Sequence, residues 1–212
     1  MPAWLNRVNR AHPWSHNDHY LGWVVRRVRA SGARDVLDIG CGTGNLVARL
    51  RGHCTVTGLE RDPATAAVAT ERFRGDPAVR ILPVDFADRD PDARWDAITL
   101  VAVLHHLPLD ATLRALRGTL APGGRLVVVG CHRDATAADA LTRLPAVLLN
   151  PVIGLLRHPA RATEPPPHMR APVAEPTQTL AEIRAVAARE LPGARIRRRL
   201  FWRYTLVYDH RV

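Results

Sequence analysis

Apolar residues along the chain fall into two alternating rhythms. Short runs rich in Val, Ile and Leu occupy Val36–Ile39, Cys54–Leu59, Val79–Val84, Trp95–Leu104 and Arg125–Val129. Between or before them lie segments of helical period: Tyr20–Ala30, with Leu21, Val24, Val25 and Val28 on one face, then Leu46–Leu50, Thr65–Phe73 and Asp110–Leu120. Unbroken β-branched runs suit strands buried on both faces, and the longer period suits amphipathic helices. Strands separated by helices predict right-handed βαβ units on a parallel sheet.

The alternation has a different prelude and a different close. Residues 1–19 hold Pro2, Pro13, Trp4, Trp14 and the polar run Ser15-His16-Asn17-Asp18-His19, with no clean period. They read as an arm or lid leading into the first helix, which Ser31-Gly32-Ala33 stops. After Cys131 the rhythm breaks: residues 132–176 carry eight prolines, and their one apolar stretch, Leu144–Leu156, is interrupted by Pro145 and Pro151. Thr177 can cap a last helix over Leu180–Glu190, ended by Leu191-Pro192-Gly193. Two runs follow, Ala194–Leu200 and Trp202–Tyr208, close enough to pair antiparallel at the sheet edge. The predicted organisation is a single domain: an arm and helix (1–33), an α/β core (34–130), a proline-rich insert (131–176), and a last helix with edge strands (177–212).

Composition narrows the setting. A chain of 212 residues supports one full α/β domain, and no apolar run is long enough to span a bilayer. The first residues lack the apolar stretch of a secretory signal, and three scattered cysteines argue against a disulfide framework, so a cytoplasmic location is expected. No C-x-x-C pair suggests zinc, and no metal is expected. The net charge is +10 with no lysine at all, a bias that resembles the arginine-rich usage of a GC-rich genome. It is a weak pointer to nucleic acid or to an anionic membrane surface.

The candidate chemistry centres on Val36-Leu37-Asp38-Ile39-Gly40-Cys41-Gly42-Thr43-Gly44-Asn45-Leu46. A dinucleotide site favours G-x-G-x-x-G, with a third glycine where this chain has Asn45. A carboxylate ahead of the turn, Asp38, suits a ligand carrying a cation and would repel a pyrophosphate. Asp38-Ile39-Gly40-Cys41-Gly42-Thr43-Gly44 resembles the first motif of class I S-adenosylmethionine-dependent methyltransferases. Further matches follow in order. Glu60, closing the second run, resembles the acidic residue that binds both ribose hydroxyls in that family; a carboxylate can accept both bonds. Asp85, in Val84-Asp85-Phe86, resembles the residue at the adenine amino group. Leu120-Ala121-Pro122-Gly123-Gly124-Arg125-Leu126 resembles the turn before the family's fifth strand.

The resemblance implies a Rossmann-like α/β fold: a seven-stranded, mostly parallel sheet with a reversed edge strand and helices on both faces. It implies S-adenosyl-L-methionine as cofactor, held by Asp38, Gly40, Cys41, Gly42, Gly44, Asn45, Glu60, Arg61, Asp85, Phe86 and Val101. The fourth strand runs into Leu104-His105-His106-Leu107, similar to methyltransferases of quinones, sterols and other natural products. The N/D-P-P-Y/F motif of DNA amino methylation, the paired glutamates of arginine methylation and a catechol-type carboxylate cluster are absent from it.

His105 or His106 is the candidate base, since an imidazole titrates near neutrality. Transfer from an activated sulfonium can also proceed by orientation alone. His16, His19 and Tyr20 are expected to line the pocket from the lid, a region that folds over the cofactor in the family. The insert is expected to cap the core, to form a greasy substrate wall, or to touch a membrane surface beside Arg143, Arg157 and Arg161. The leading expectation is an enzyme that methylates an O, N or C atom of a small molecule, apolar ones included. The alternatives are an RNA-modifying methyltransferase, motivated by Arg26-Arg27 and Arg197-Arg198-Arg199, and a non-catalytic cofactor-binding module.

Overall fold

The computed structural model describes residues 11–12, 14–157, 160 and 175–211, without the side chains of 137–140, 142–144, 146, 148 and 157. Its elements in chain order are α1 (His16–Arg29), β1 (Asp35–Ile39), α2 (Val47–Leu50), β2 (Thr55–Leu59), α3 (Pro63–Arg72), β3 (Val79–Leu82), β4 (Trp95–Val101), α4 (Leu109–Thr119), β5 (Leu120–Cys131), α5 (Ala137–Arg157), α6 (Leu180–Glu190), β6 (Arg195–Arg199) and β7 (Arg203–Asp209). The strands form one seven-stranded sheet in the order β3-β2-β1-β4-β5-β7-β6. β1 to β5 are parallel, and β7 runs against both its neighbours. The reversed strand expected at this edge is therefore β7, one position in from the rim that β6 forms.

Side-chain alternation along the strands divides the core in two. Leu37, Ile39, Ile98, Leu100, Leu126 and Val128 pack with Leu113 and Leu116 of α4 and with Leu180, Ile183 and Ala187 of α6. Val36, Ala97, Val127 and Val129 face the other way, onto Leu21, Val24 and Val28 of α1 and Val47 and Leu50 of α2. The amphipathic stripe of α1 is thus what covers that face. α6 opens on a reciprocal cap, in which the Thr179 hydroxyl accepts from the Glu182 amide and the Glu182 carboxylate accepts from the Thr179 amide.

Several boundaries move from the expected ones, each for a local reason. The helix expected over Tyr20–Ala30 begins four residues earlier, because the Ser15 side chain accepts a hydrogen bond from the Asp18 amide and caps it. His16 to His19 are its polar first turn, so this part of the expected irregular arm is helix. The fourth strand stops at Val101 instead of Leu104. Ala102 turns with φ at +58°, and Leu104–His106 form a single 3-10 turn. The proline-broken stretch is the 21-residue helix α5, which runs through Pro145 and Pro151. It leaves Leu141, Leu149, Val152, Leu155 and Leu156 exposed. Among the described residues no helix is long and apolar enough to cross a membrane. Arg161 and Pro165–Pro167 lie outside the described residues, as do residues 1–10.

The glycine turn is where packing tolerates least. A Cβ on Gly44 would lie 2.3 Å from the Phe73 ring, and φ there is +82°. Gly44→Ala is expected to cost about 1–3 kcal/mol, from left-handed strain and overpacking together; a denaturant titration against the parent chain measures it.

Candidate active site

Every parallel strand ends at the same edge of the sheet, and the loops leaving that edge surround one cleft of about 490 Å³. Asp85 lies beyond β3 and Glu60 beyond β2. The turn after β1 presents Gly40, Cys41 and Gly42 to the cleft, with Asn45 beyond them. Val101 ends β4, with His105 and His106 past it; Cys131 ends β5, and Trp202 precedes Arg203, which opens β7. Thus all eleven of Asp38, Gly40, Cys41, Gly42, Gly44, Asn45, Glu60, Arg61, Asp85, Phe86 and Val101 belong to this edge, and all but Gly44 line the cleft.

The three glycines divide their work. A Cβ on Gly40 would strike Val103 at 2.4 Å, and one on Gly44 would strike Phe73, so these two serve close packing. Gly42, at φ +56°, has open space where a Cβ would be. Its amide donates to Glu60 Oε2 at 2.9 Å, while Glu60 Oε1 accepts from the Asp62 amide at 3.0 Å. Glu60 therefore locks the turn to the end of β2 and still fronts the cleft. Asn45 is held between Arg72, which donates to its side-chain oxygen at 2.9 Å, and Asp18 of α1.

Asp38 is the most constrained group in the cleft. It is 2% exposed, and its carboxylate accepts from the Thr99 hydroxyl at 2.7 Å. β1 and β4 set Asp38 directly beside Thr99 in register. Burial pushes its pKa up to about 7; the Thr99 bond opposes this, and the charge of Glu60 adds to it. Cys41 is pushed well above the thiol range, first by burial and then by the two carboxylates, which leaves it an unreactive wall.

The histidines separate into two groups. His105 and His106 line the cleft with ring centroids 4.0 Å apart. Burial, with help from Arg61, lowers the pKa of His106 below the ordinary histidine value. His16, His19 and Tyr20 do not line the cleft: the cap residue Ser15 and Asn17, Asp18 and Leu21 of α1 face it instead. The His16 ring stacks on Phe201 at 5.2 Å and its Nε2 bonds the Asn150 side chain at 2.8 Å. His19 meets Trp14 and Phe201 edge-on, and the Tyr20 hydroxyl donates to the Leu200 carbonyl at 2.9 Å. The expected lid residues are thus fasteners between α1, α5 and the β6–β7 turn. They lie on the expected segment but on the face of α1 turned away from the cleft. Beyond Cys131 at the end of β5, the described part of the insert contributes Glu175 and Pro176 to the cleft and nothing from α5. Among the described residues no cluster of three or more His, Cys, Asp or Glu forms a metal site, and Cys41, Cys54 and Cys131 are free thiols.

Residues 37–126 match a family described as a methyltransferase domain. Uncharacterised methyltransferases of Mycobacterium bovis and Mycobacterium tuberculosis are 34% identical over 203 residues, spanning 92% of this chain and 96% of theirs. The chain belongs to the class I S-adenosylmethionine-dependent methyltransferases. An amino pentose methyltransferase from Micromonospora echinaspora, solved with S-adenosylmethionine bound, shares the fold at TM-score 0.61 and 20% identity. That alignment covers 99% of this chain and 98% of that one. A tRNA U34 carboxymethyltransferase of Pseudoalteromonas atlantica is 34% identical over 101 residues, 45% of this chain and 31% of its own length. The methyltransferase uses S-adenosylmethionine, and the cleft suits that ligand. It sets side by side a buried carboxylate short of a cation, a second carboxylate at the end of β2, and a glycine with open space before it.

Asp38 carries a stability cost that can be measured without any ligand. An aspartate whose folded-state pKa lies above its unfolded value takes up a proton on folding. The free enzyme should therefore lose stability as pH rises from about 4 to about 7. Asp38→Asn keeps an acceptor for Thr99 and removes the charge, so it is expected to stabilise the free enzyme by about 1–3 kcal/mol at pH above 7. Thermal unfolding across that pH range reads both effects.

Proposed function

We propose that this methyltransferase acts on a small molecule that enters beside the cofactor, over β4, β5 and β7. The observation that carries this reading is how the cleft divides along the sheet edge. Asp38, Glu60, Asp85 and the glycine turn occupy the ends of β1 to β3, the half assigned here to S-adenosylmethionine. In this reading Asp38 faces the cofactor's positive charge, Glu60 its ribose and Asp85 its adenine. The other half is walled by Leu21, Asn17, Leu107, Cys131, Trp202 and Arg203, in a cleft of about 490 Å³. That volume includes the cofactor half, and the whole lies within the range of small-molecule sites.

Three of the five arginines that motivated an RNA substrate have partners within the fold. Arg198 donates to the Thr136 hydroxyl and Arg199 to the Thr205 hydroxyl. Arg27 lies over the Trp23 ring. The tRNA-modifying relative of Pseudoalteromonas atlantica matches 45% of this chain and only 31% of its own length, which supports a shared cofactor domain.

Bound S-adenosylmethionine supplies a methyl group already activated as a sulfonium, which leaves the protein to position the acceptor and accept its proton. His106 suits the role of proton acceptor. With its pKa lowered, the ring is neutral at neutral pH and can take a proton from a hydroxyl or amine. His105, packed against it, shares the same turn.

Methyl-labelled S-adenosylmethionine supplied with a bacterial extract is expected to label the low-molecular-weight, nuclease-resistant fraction. Label confined to nuclease-sensitive material overturns the small-molecule reading. Glu60→Ala is expected to weaken cofactor binding by about tenfold or more, the loss of charge-assisted hydrogen bonds. His106→Gln should lower kcat by about 10²-fold with cofactor affinity unchanged. At saturating S-adenosylmethionine, where Asp38 is already ionised, kcat of the parent enzyme should fall at pH below the ordinary histidine range, where His106 protonates.

A further inference from the structure

Two independent features meet at the far end of the cleft. The first is backbone strain. Phe201 and Trp202, which turn β6 into β7, both have positive φ, +59° and +56°. Bulky residues in the left-handed region cost on the order of 1–3 kcal/mol each, and such strain gathers at ligand sites. Here it is held in place from outside. Phe201 is 1% exposed and packs edge-on against Trp14 at 4.9 Å, while Leu200 accepts from Tyr20. The result is that Trp202, the half-buried member of the pair, fronts the cleft.

The second feature is a cation set in the wall beside it. Arg203 opens β7 opposite Cys131, on the sheet face that α1 covers. Its Nε and Nη2 donate to the side-chain oxygen of Asn17 at 3.2 and 2.9 Å, and its Nη1 donates to the Phe201 carbonyl at 3.3 Å. These neutral oxygens orient the guanidinium and leave its charge uncompensated. Among the described residues no carboxylate forms an ion pair with Arg203. Of five N–H donors, three are used. Its charge reaches the neighbouring groups, opposing the burial that pushes up the Cys131 thiol and the Tyr20 hydroxyl.

A guanidinium fixed by neutral partners, with donors to spare and an aromatic ring next to it, is suited to a planar carboxylate. Of the carboxylates that share the cleft, Asp38, Glu60, Asp62 and Asp85 sit at the opposite half, Asp62 bonded to Thr65; Asp18 contacts Asn45 at the glycine turn, and Glu175 is exposed. We infer that Trp202 and Arg203 form the acceptor's anchoring subsite, and that the methyl acceptor is a small aromatic carboxylate. This rests on the small-molecule reading above and narrows it.

The test is a ligand-observed NMR titration of the full chain, saturated with S-adenosylhomocysteine, using benzoate and benzamide as probes. Benzoate is expected to bind saturably, and about tenfold or more tightly than benzamide, the scale of a charge-assisted bidentate contact. Arg203→Gln should reduce benzoate to the benzamide level while leaving S-adenosylhomocysteine affinity within about twofold, and Arg203→Lys should restore part of the preference. If Arg203→Gln does not fold, Asn17→Ala, which releases the guanidinium from its orienting amide, should weaken benzoate selectively. Equal binding of the two probes, no saturable benzoate binding, or a benzoate preference that survives Arg203→Gln overturns the anchor. In the first and third cases the small-molecule reading stands. If a short RNA binds the loaded chain and neither probe does, both readings fail together.

Discussion

The structure is organised around a carboxylate placed where a carboxylate is least comfortable. Asp38 sits at the end of a central strand, 2% exposed, with one hydroxyl for company and a second carboxylate nearby. Burial of a charge without a counter-charge is costly unless the group neutralises or a cation arrives. The free enzyme does the first, holding Asp38 near its titration midpoint at neutral pH. S-adenosylmethionine, cationic at both its sulfonium and its ammonium, provides the second in the mechanism proposed above. The same logic explains the order of the elements. β1 must be central so that Asp38 is buried, β2 must lie beside it so that Glu60 can reach Gly42, and α1 must close that face.

The half of the cleft proposed for the acceptor depends on contacts between segments far apart in the chain. α1 is fastened to the β6–β7 turn by Tyr20 on Leu200, by Asn17 on Arg203 and by Phe201 between Trp14 and His16. α5 adds Asn150, whose carbonyl accepts from the Trp14 ring nitrogen and whose side chain meets His16. This aromatic clasp stabilises a turn that its own sequence disfavours. In the reading proposed above, cofactor recognition is built from local turns after successive strands, and the acceptor wall from tertiary contacts that close it.

That difference accounts for what could be read from the sequence. The β1 turn, Glu60 and Asp85 follow strand ends at fixed spacing, so the motifs located them without knowledge of packing. The strand–helix alternation followed from hydrophobic period, and the helices on both faces of the sheet from the family resemblance. The start of α1 was illegible because His16 to His19 carry no apolar period; only Ser15 signalled the cap. α5 was obscured by Pro145 and Pro151, which break the usual pattern although the apolar content sustains a helix. The Phe201–Trp202 turn had no signal at all, since glycine or asparagine ordinarily marks positive φ. Asn17 and Arg203, 186 positions apart, meet only in the folded chain.

The central claim is that the charge state of Asp38 is coupled to the cofactor's positive charge. Calorimetry of S-adenosylmethionine binding in buffers of different ionisation enthalpy measures that coupling as protons released. At about pH 6, below the Asp38 pKa of about 7, the parent enzyme should release most of one proton on binding. The release should shrink as pH rises past that value, and it should vanish in Asp38→Asn together with much of the affinity. Tight binding with no proton release at any pH between about 5 and 7 would contradict the coupling.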